Sequence, residues 1–350
     1  MATESFPLGT SALHPDWTEA RFNVSGMFVY HPLVIQFMDI VGEAIDCRIP
    51  IAAMHGAPAL PWNAGRLART SFNPATLGEA LQSLYDHNVG CFATFTNHLI
   101  EEKDLADPNC NALLDFIGHR SDLNGVIIVS DKLSAYIARK YPDLRKVASI
   151  IKVTIDRGRG RPDYYRELGK RFYRYMVHPD DCRDLRFLDQ LDRDKAEIIV
   201  TENCAPNCPN REHHYDAYAR WQKAYSLDAD VLTLDGISPA AERQFMDMEV
   251  NRIVANCPSS MDLTRLKKRQ RTCNLLRSEL KAIYDMGFRN FKMQGRADDP
   301  ATYVYDLARF MLEPELVAPL VIKAMFPRIP KRSPSDPAPL KTLSSGLRTV

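Results

Sequence analysis

Two cysteines, Cys204 and Cys208, follow directly on a run of apolar residues. Thiolates are the usual protein ligands of iron-sulfur clusters, and Pro206 and Pro209 would stiffen a loop that presents two of them. Arg211 follows within one helical turn of Cys208, and a nearby cation favours the thiolate form that binds metal. These residue types and spacings indicate a metal or cluster site at the end of a strand.

The C-x3-C spacing leaves other interpretations open. Cysteine and histidine at short spacing also bind structural zinc, although the paired C-x2-C pattern is absent. A pair of cysteines that binds nothing is the third interpretation. Further ligands would come from Cys257, Cys273 or Cys182, and Cys257 is favoured because an apolar run precedes it. Cys273 lies in a basic, helix-like stretch, which favours a packing or surface role. Three singly placed cysteines are predicted to be small buried residues: Cys47, Cys91 and Cys110.

A second group of polar residues occurs in the last predicted strand and directly after it. Lys292 and Gln294 alternate with apolar residues, so on a strand they share one face. Inside a barrel a lysine is costly unless it is paired, so we expect Lys292 to meet Glu202, Asp131 or an anionic ligand. Arg296 has the geometry to bind a carboxylate or phosphate with two hydrogen bonds. The alternative is a buried structural ion pair with no role in substrate binding.

Several polar residues, including three histidines, begin where apolar runs end. Side chains of this kind bind substrates or move protons when they meet in one site. Turn-forming polar residues also end strands for purely structural reasons. The residues predicted to bind substrate or transfer protons are His178, His214, Lys292, Arg296 and Glu202.

Eight short β-rich runs alternate with segments of helical periodicity such as 77–87 and 132–140, which predicts a parallel sheet. We therefore expect an α/β fold, a (β/α)8 TIM-like barrel over residues 19–326, in one domain. Flexible tails are expected at 1–18 and at 327–350, the latter rich in proline and serine. In such a barrel the polar residues that follow the strands meet at one mouth. The runs are 22–24, 49–54, 89–95, 125–129, 147–153, 172–177, 196–201 and 288–293, with 228–234 and 251–255 as further candidates.

The net charge, the hydrophobic runs and the number of cysteines indicate which partners and which cell compartment to expect. The formal charge of +1 over 350 residues gives no electrostatic support for RNA binding, although 157–162 and 267–271 are local basic runs. No secretory signal or membrane-spanning run is evident, so the sequence predicts a soluble cytoplasmic protein without a membrane partner. Eight cysteines in such a protein are expected to be reduced.

The motifs at 201–215 and 291–296 together resemble the collagenase-like U-32 peptidase family. The first reads Thr-Glu-Asn-Cys-x3-Cys-Pro-x-Arg-x2-His-Tyr and the second Phe-Lys-Met-Gln-Gly-Arg. The resemblance implies a barrel-like fold and, as in several members, an oxygen-sensitive 4Fe-4S cluster. Cys204 and Cys208 match the family's paired cysteines, and Cys257 matches a cysteine between the two motifs. The fourth ligand is Cys273, Cys182 or an open iron site, and Gln294 stands where the family usually has Glu.

Family members include proteins for oxygen-independent hydroxylation in ubiquinone biosynthesis and in RNA modification, with prephenate implicated as oxygen donor. The resemblance therefore implies an iron-sulfur-dependent hydroxylase or oxygen-transfer enzyme that acts on a small carboxylated molecule. One alternative is a cluster-bearing subunit without its own active site, which binds a protein or RNA partner or a second copy of itself. Another is a U-32-type peptidase or a zinc-stabilised barrel, although the chain has neither an H-E-x-x-H nor a G-x-S-x-G motif.

Overall fold

A computed structural model describes residues 18–46, 48–64, 74–202, 204–225, 232–233, 236–237, 273–294 and 299–326. Three predicted residues lie outside these ranges, namely Cys47, Cys257 and Arg296. Both predicted tails, apart from Thr18, also lie outside them. The expectations for these parts of the chain stay predictions.

Eight parallel strands close into a barrel in the order β1-β10-β7-β6-β5-β4-β3-β2. Each of the eight predicted runs overlaps one barrel strand, and the closed barrel of eight parallel strands confirms the TIM-like fold. Two further short strands, β8 (Leu232–Thr233) and β9 (Gly236–Ile237), form an antiparallel pair outside it. The barrel strands are β1 (Arg21–Ser25), β2 (Ile51–Gly56), β3 (Gly90–Phe95), β4 (Gly125–Ile128), β5 (Arg145–Ala148), β6 (Arg174–Met176), β7 (Ala196–Thr201) and β10 (Asn290–Met293).

Helices connect the strands and cover the outside of the barrel. Several begin at a side chain that accepts a hydrogen bond from the first turn, as Asp107, Ser130 and Asp299 do. The helices are α1 (His31–Ile45), α2 (Pro74–Asp86), α3 (Pro108–Gly118), α4 (Asp131–Lys140), α5 (Ile150–Ile155), α6 (Pro162–Arg171), α7 (Leu185–Leu188), α8 (Arg211–Tyr225), α9 (Arg277–Asp285), α10 (Pro300–Met311) and α11 (Pro314–Met325), with a 3-10 helix at Glu102–Ala106. None of the described helices is long and apolar enough to cross a membrane.

One predicted strand was too long. The apolar run at 147–153 is strand only up to Ala148, and α5 begins at Ile150. Ser149 between them caps the helix, because its hydroxyl accepts a hydrogen bond from the backbone N–H of Ile151. Apolar residues on both sides of the cap conceal the change from strand to helix.

The interior of the barrel is apolar on one side and polar on the other. Strands β2 to β7 contribute an inner apolar cluster that includes Ala53, Phe92, Ile127, Val147, Met176 and Ile199. Strands β1 and β10 instead contribute Asn23 and Lys292, whose neighbours in sequence pack in the outer core between barrel and helices. The two polar side chains are paired in register across β1 and β10. Polar chemistry is therefore concentrated along one wall of the barrel.

Candidate functional site

A cleft at the carboxyl ends of the strands forms the mouth of the barrel. It has a cavity volume of about 80 Å³ and is open to solvent on one side. This is the end at which barrels of this architecture carry their active sites. The lining residues are His55, Ala64, Thr94, Thr96, Ile127, Ser149, Ile150, Ile151, Met176, Glu202, Cys204, Arg211, His214, Tyr215, Tyr218, Lys292 and Gln294.

The structure brings several of the predicted residues together in this cleft. Glu202, His214 and Lys292 line it, as does the predicted ligand Cys204. Lys292 and Gln294 share the interior face, as their alternation predicts. Lys292 is only 4% exposed, so its charge lies inside the barrel mouth.

The Glu202 side chain is hydrogen-bonded to the end of β10 and to the start of the cysteine loop. One carboxylate oxygen accepts a hydrogen bond from Gln294 Nε2 at 2.9 Å, and the other accepts one from the backbone N–H of Cys204 at 2.9 Å. Gln294 N–H also donates to Thr201 Oγ1 at 2.7 Å, and that hydroxyl donates back to the Gln294 carbonyl at 2.9 Å. A glutamine at 294 supplies a donor where a glutamate would place a second negative charge against Glu202.

Cys204 lines the cleft, and two further cysteines lie on the segments next to it. The backbone N–H of Cys273 donates to the Cys204 carbonyl at 3.0 Å, although the two residues are far apart in sequence. The Cys273 thiol donates to Asp180 Oδ1 at 3.3 Å, and burial raises its pKa to about 12. Cys208 is partly exposed, and its carbonyl accepts from the N–H of Arg211 at the start of α8. Cys273 is buried and lies outside the described helices, which agrees with the packing role that the sequence offered for it.

Arg211 links the cysteine loop to the strand-end residue Asp180. Its Nη2 donates to Asp180 Oδ1 at 3.3 Å and to the Ala205 carbonyl at 3.0 Å, and lies 3.8 Å from the Cys273 sulfur. Burial opposes its charge, but Tyr215 and the neighbouring thiol and carboxyl groups raise its pKa further above the ordinary value. Its Nη1 is buried and has no hydrogen-bond partner among the described residues. Arg211 therefore brings a permanent charge and an unused donor to the cleft.

His178 is buried behind the cleft and does not line it. Its backbone N–H donates to Tyr165 Oη at 2.9 Å, and its Nδ1 accepts from the backbone N–H of Asp180 at 3.2 Å. Burial, followed by the charge of Arg211, lowers the pKa of His178 below its ordinary value. A neutral imidazole is therefore expected at neutral pH. Its direct structural effect is to orient Asp180.

Two other candidates have partners away from the cleft. Asp131 pairs with Lys152 Nζ at 3.1 Å and with Arg171 at 2.5 Å, on the helices that surround the barrel. Cys182 is fully buried, and its thiol donates to the His178 carbonyl at 3.4 Å. Of the two cysteines proposed as fourth ligand, Cys273 is therefore the one that lies beside Cys204.

Cysteine thiols are the donor type that an iron-sulfur cluster requires. Cys204, Cys208 and Cys273 lie on segments that meet at the mouth. Within the described residues, however, no three side chains of Cys, His, Asp or Glu converge as a formed metal site. A cluster would therefore need the cysteine loop to adjust, and Cys257 to contribute from outside the described part of the chain.

His55 and Thr96 belong to the polar residues that follow apolar runs, and both line the cleft as their place at the ends of β2 and β3 predicts. The sequence did not assign a role to other lining residues. Tyr215 and Tyr218 come from α8, where the rings of His214 and Tyr218 lie with centroids 4.9 Å apart. Because residues four apart lie on one face of a helix, the His214 and Tyr218 positions are a signal for this contact.

No protein-family model matches the sequence, and no curated protein matches it either. The solved structure of the U32 peptidase Mk0906 is similar, with a TM-score of 0.50 at 13% identity, over 84% of this chain and 98% of that one. This likeness concerns the fold and agrees with the family resemblance of the two motifs. The chain is thus similar in architecture to a U32 peptidase.

Proposed function

We propose that this protein is an enzyme whose active site is the cleft at the barrel mouth and whose substrate is a small carboxylated molecule. The reaction class is an iron-sulfur-dependent, oxygen-independent hydroxylation or related oxygen transfer. The observation that carries the proposal is the presence of Cys204 and the unused Nη1 donor of Arg211 in the same cleft. A thiol that could bind iron and a cationic side chain that could bind an anion thus line one cleft.

The cationic side chains would hold the substrate. Arg211 Nη1 would donate to a substrate carboxylate, because a buried donor without a partner is stabilised by an acceptor. Lys292 lies in the wall of the same cleft and adds a second positive charge. The free-energy cost of removing a carboxylate from water would be smaller beside these groups than in an apolar pocket.

The remaining polar groups would position or move protons. Glu202 is held by Gln294 and by the backbone of Cys204, so it is fixed in orientation at the cleft wall. His214 lies on α8, next to the ring of Tyr218. Both residues are thus placed to exchange a proton with a bound molecule.

Cys204, Cys208, Cys273 and Cys257 would hold the cluster. A cluster in this position would supply electron transfer or a Lewis-acidic iron beside the substrate. The positive charge of Arg211 close to Cys204 and Cys273 would offset the negative charge of the thiolates. Its hydrogen bond to Ala205 would help to hold the loop that carries two of the ligands.

The cluster is tested by comparing cysteine variants after anaerobic purification. Cys204→Ala should lose the charge-transfer absorption and at least half of the iron of the unmodified protein. Cys110→Ala is the matched control, because Cys110 is a buried thiol in α3 that does not line the cleft, and it should keep both. Equal iron content in the two variants would remove Cys204 from the ligand set.

The same preparations test the alternatives. Zinc without charge-transfer absorption, together with hydrolysis of unstructured peptides, would favour a peptidase like the similar U32 protein. A stoichiometric protein that co-purifies with the chain would favour a cluster-bearing subunit. Either outcome would replace the hydroxylase proposal.

A further inference from the structure

Three of the eight barrel strands begin with an arginine. Arg21, Arg145 and Arg174 are the first residues of β1, β5 and β6. Because the strands are parallel, their first residues lie at one end of the barrel, opposite the cleft at the carboxyl ends. Residues two positions apart on a strand share a face, and each arginine comes two positions before a residue of the barrel interior. The three side chains, here called the arginine cluster, therefore start on the inward face of their strands.

The guanidinium groups of the arginine cluster act on one another. The guanidinium carbons of Arg145 and Arg174 lie 5.2 and 4.8 Å from the centre of the same ring, that of Tyr173. Burial lowers the pKa of Arg174, and the Glu197 carboxyl group opposes this effect. The charges of Arg21 and Arg145 lower the pKa of Arg174 further. Arginine side chains stay protonated in proteins, so the cluster has an excess of positive charge whether or not Glu197 is ionised.

The arginine cluster lacks a counter-ion. Within the residues that the structure describes, none of its three guanidinium groups forms an ion pair with a carboxylate group. Arg145 donates to the backbone carbonyl groups of Asp122 and of Leu123, the latter at 3.4 Å. Arg174 Nε is buried and has no hydrogen-bond partner in the described part of the chain. A buried donor without an acceptor and neighbouring like charges are both costly, and a bound anion would offset both costs.

Phosphate fits the arginine cluster by charge and by shape. Guanidinium groups bind oxoanions through paired N–H···O hydrogen bonds, and one phosphate has enough oxygens to serve several arginines. Arg21 and Tyr173 are exposed, so an anion can enter from solvent. We propose that the arginine cluster is a phosphate-binding site at the amino-terminal end of the barrel, separate from the cleft. Its ligand is inorganic phosphate or the phosphate group of a small ester.

Thermal unfolding of the full-length protein tests the site without any variant. The midpoint in about 10 mM sodium phosphate should be at least about 2 °C higher than in sodium chloride of the same ionic strength, because a ligand that binds only the folded state stabilises it. Equal ionic strength keeps the general screening of charge constant. Equal midpoints in phosphate and chloride would overturn the proposal.

Variants separate phosphate binding from a purely structural role. Arg174→Met removes a partly buried charge without a counter-ion, so its midpoint in chloride should equal or exceed that of the wild-type protein, and the phosphate shift should be lost. Arg21→Met changes an exposed residue, is expected to fold, and should lose at least about half of the shift. Arg166→Met, at an exposed arginine of α6, is the matched control and should keep it. A full phosphate shift in both Arg174→Met and Arg21→Met would overturn the proposal.

Arg211→Met decides between the two ends of the barrel. It removes a cation of the cleft and should keep the full phosphate shift. A shift that is lost in Arg211→Met and kept in Arg174→Met would place phosphate in the cleft and overturn the proposal.

Glycerol phosphate, compared with inorganic phosphate at equal concentration, distinguishes the two sources of the ligand. A larger shift with the ester would support a site for phosphate esters, and equal shifts would support a site for inorganic phosphate. These measurements need neither iron nor turnover, so their outcome is independent of the proposed function.

Discussion

Asp180 meets two arginines that differ in burial, and this difference gives a quantitative prediction. Arg211 Nη2 lies 3.3 Å from Asp180 Oδ1 with a side chain that is 5% exposed, whereas Arg159 Nη1 lies 3.3 Å from Oδ2 with a side chain that is 44% exposed. The two arginines therefore lie at the same distance from Asp180 and differ in burial, while Arg159 also pairs with Asp181 at 3.5 Å. Methionine in either position removes the charge and keeps most of the side-chain volume.

Removing one partner of a buried ion pair costs about 3–5 kcal/mol, because the other charge stays buried without compensation. Arg159 still faces Asp180 in Arg211→Met, so we expect the lower end, about 3 kcal/mol. Arg159→Met should cost about 0–1 kcal/mol, because the Arg159 side chain is exposed and Arg211 still faces the buried Asp180. Urea unfolding with linear extrapolation measures both values.

A double-mutant cycle isolates the pair itself. Asp180→Asn removes the charge that Arg211→Met would leave unpaired, so the double variant should be less destabilised than the sum of the single variants by about 1–3 kcal/mol. Equal costs of about 1 kcal/mol or less for Arg211→Met and Arg159→Met would show that burial does not strengthen the pairing with Asp180, and would contradict the prediction.

Three further predictions concern pH, the cleft wall and packing. The pKa of His178 is lower in the folded protein than its ordinary value of 6.5. Below pH 6.5 the unfolded chain therefore binds a proton that the folded protein does not, so the free energy of unfolding falls as the pH decreases. In His178→Gln the unfolding free energy should depend less on pH between 6.5 and 5, and an unchanged slope would exclude this cause. Gln294→Glu places a second carboxylate where the amide now donates at 2.9 Å, so it should lower stability at pH 7.5 by about 1 kcal/mol or more, measured by urea unfolding. Gln294→Met, which adds no charge, should cost less. Gly125→Ala should cost about 1–3 kcal/mol, because the added Cβ would lie 2.6 Å from a backbone carbonyl oxygen of β5. Gly42→Ala in α1 meets nothing within 4 Å and should raise the midpoint of thermal unfolding; a similar loss in both glycine variants would contradict the packing.

The barrel was predictable because each strand carries its own local signal. The run at 196–201 coincides with β7 as observed, and the alternation at Lys292 and Gln294 placed both side chains inside the mouth. The 147–153 run shows the limit of this reasoning. Its residues have the same apolar character on both sides of the serine that ends the strand and begins the helix.

The candidate site was only partly predictable, because its decisive contacts join distant segments. Cys273 lies beside Cys204 through a backbone hydrogen bond that no spacing in the sequence reveals. The contact of Arg211 with Asp180 depends on the packing of α8 against the loop after β6. The hydrogen bonds of Asn23 with His55 and with Glu197 join three strands, so they depend on how those strands are aligned. Such contacts follow from barrel closure, which local patterns do not specify.

The iron and acid-labile sulfide content of the wild-type protein, purified without oxygen, tests the proposed cluster most directly. We expect a brown protein with about four irons and four sulfides per chain, as a 4Fe-4S cluster requires. A colourless protein that contains neither iron nor sulfide, yet catalyses its reaction, would contradict it.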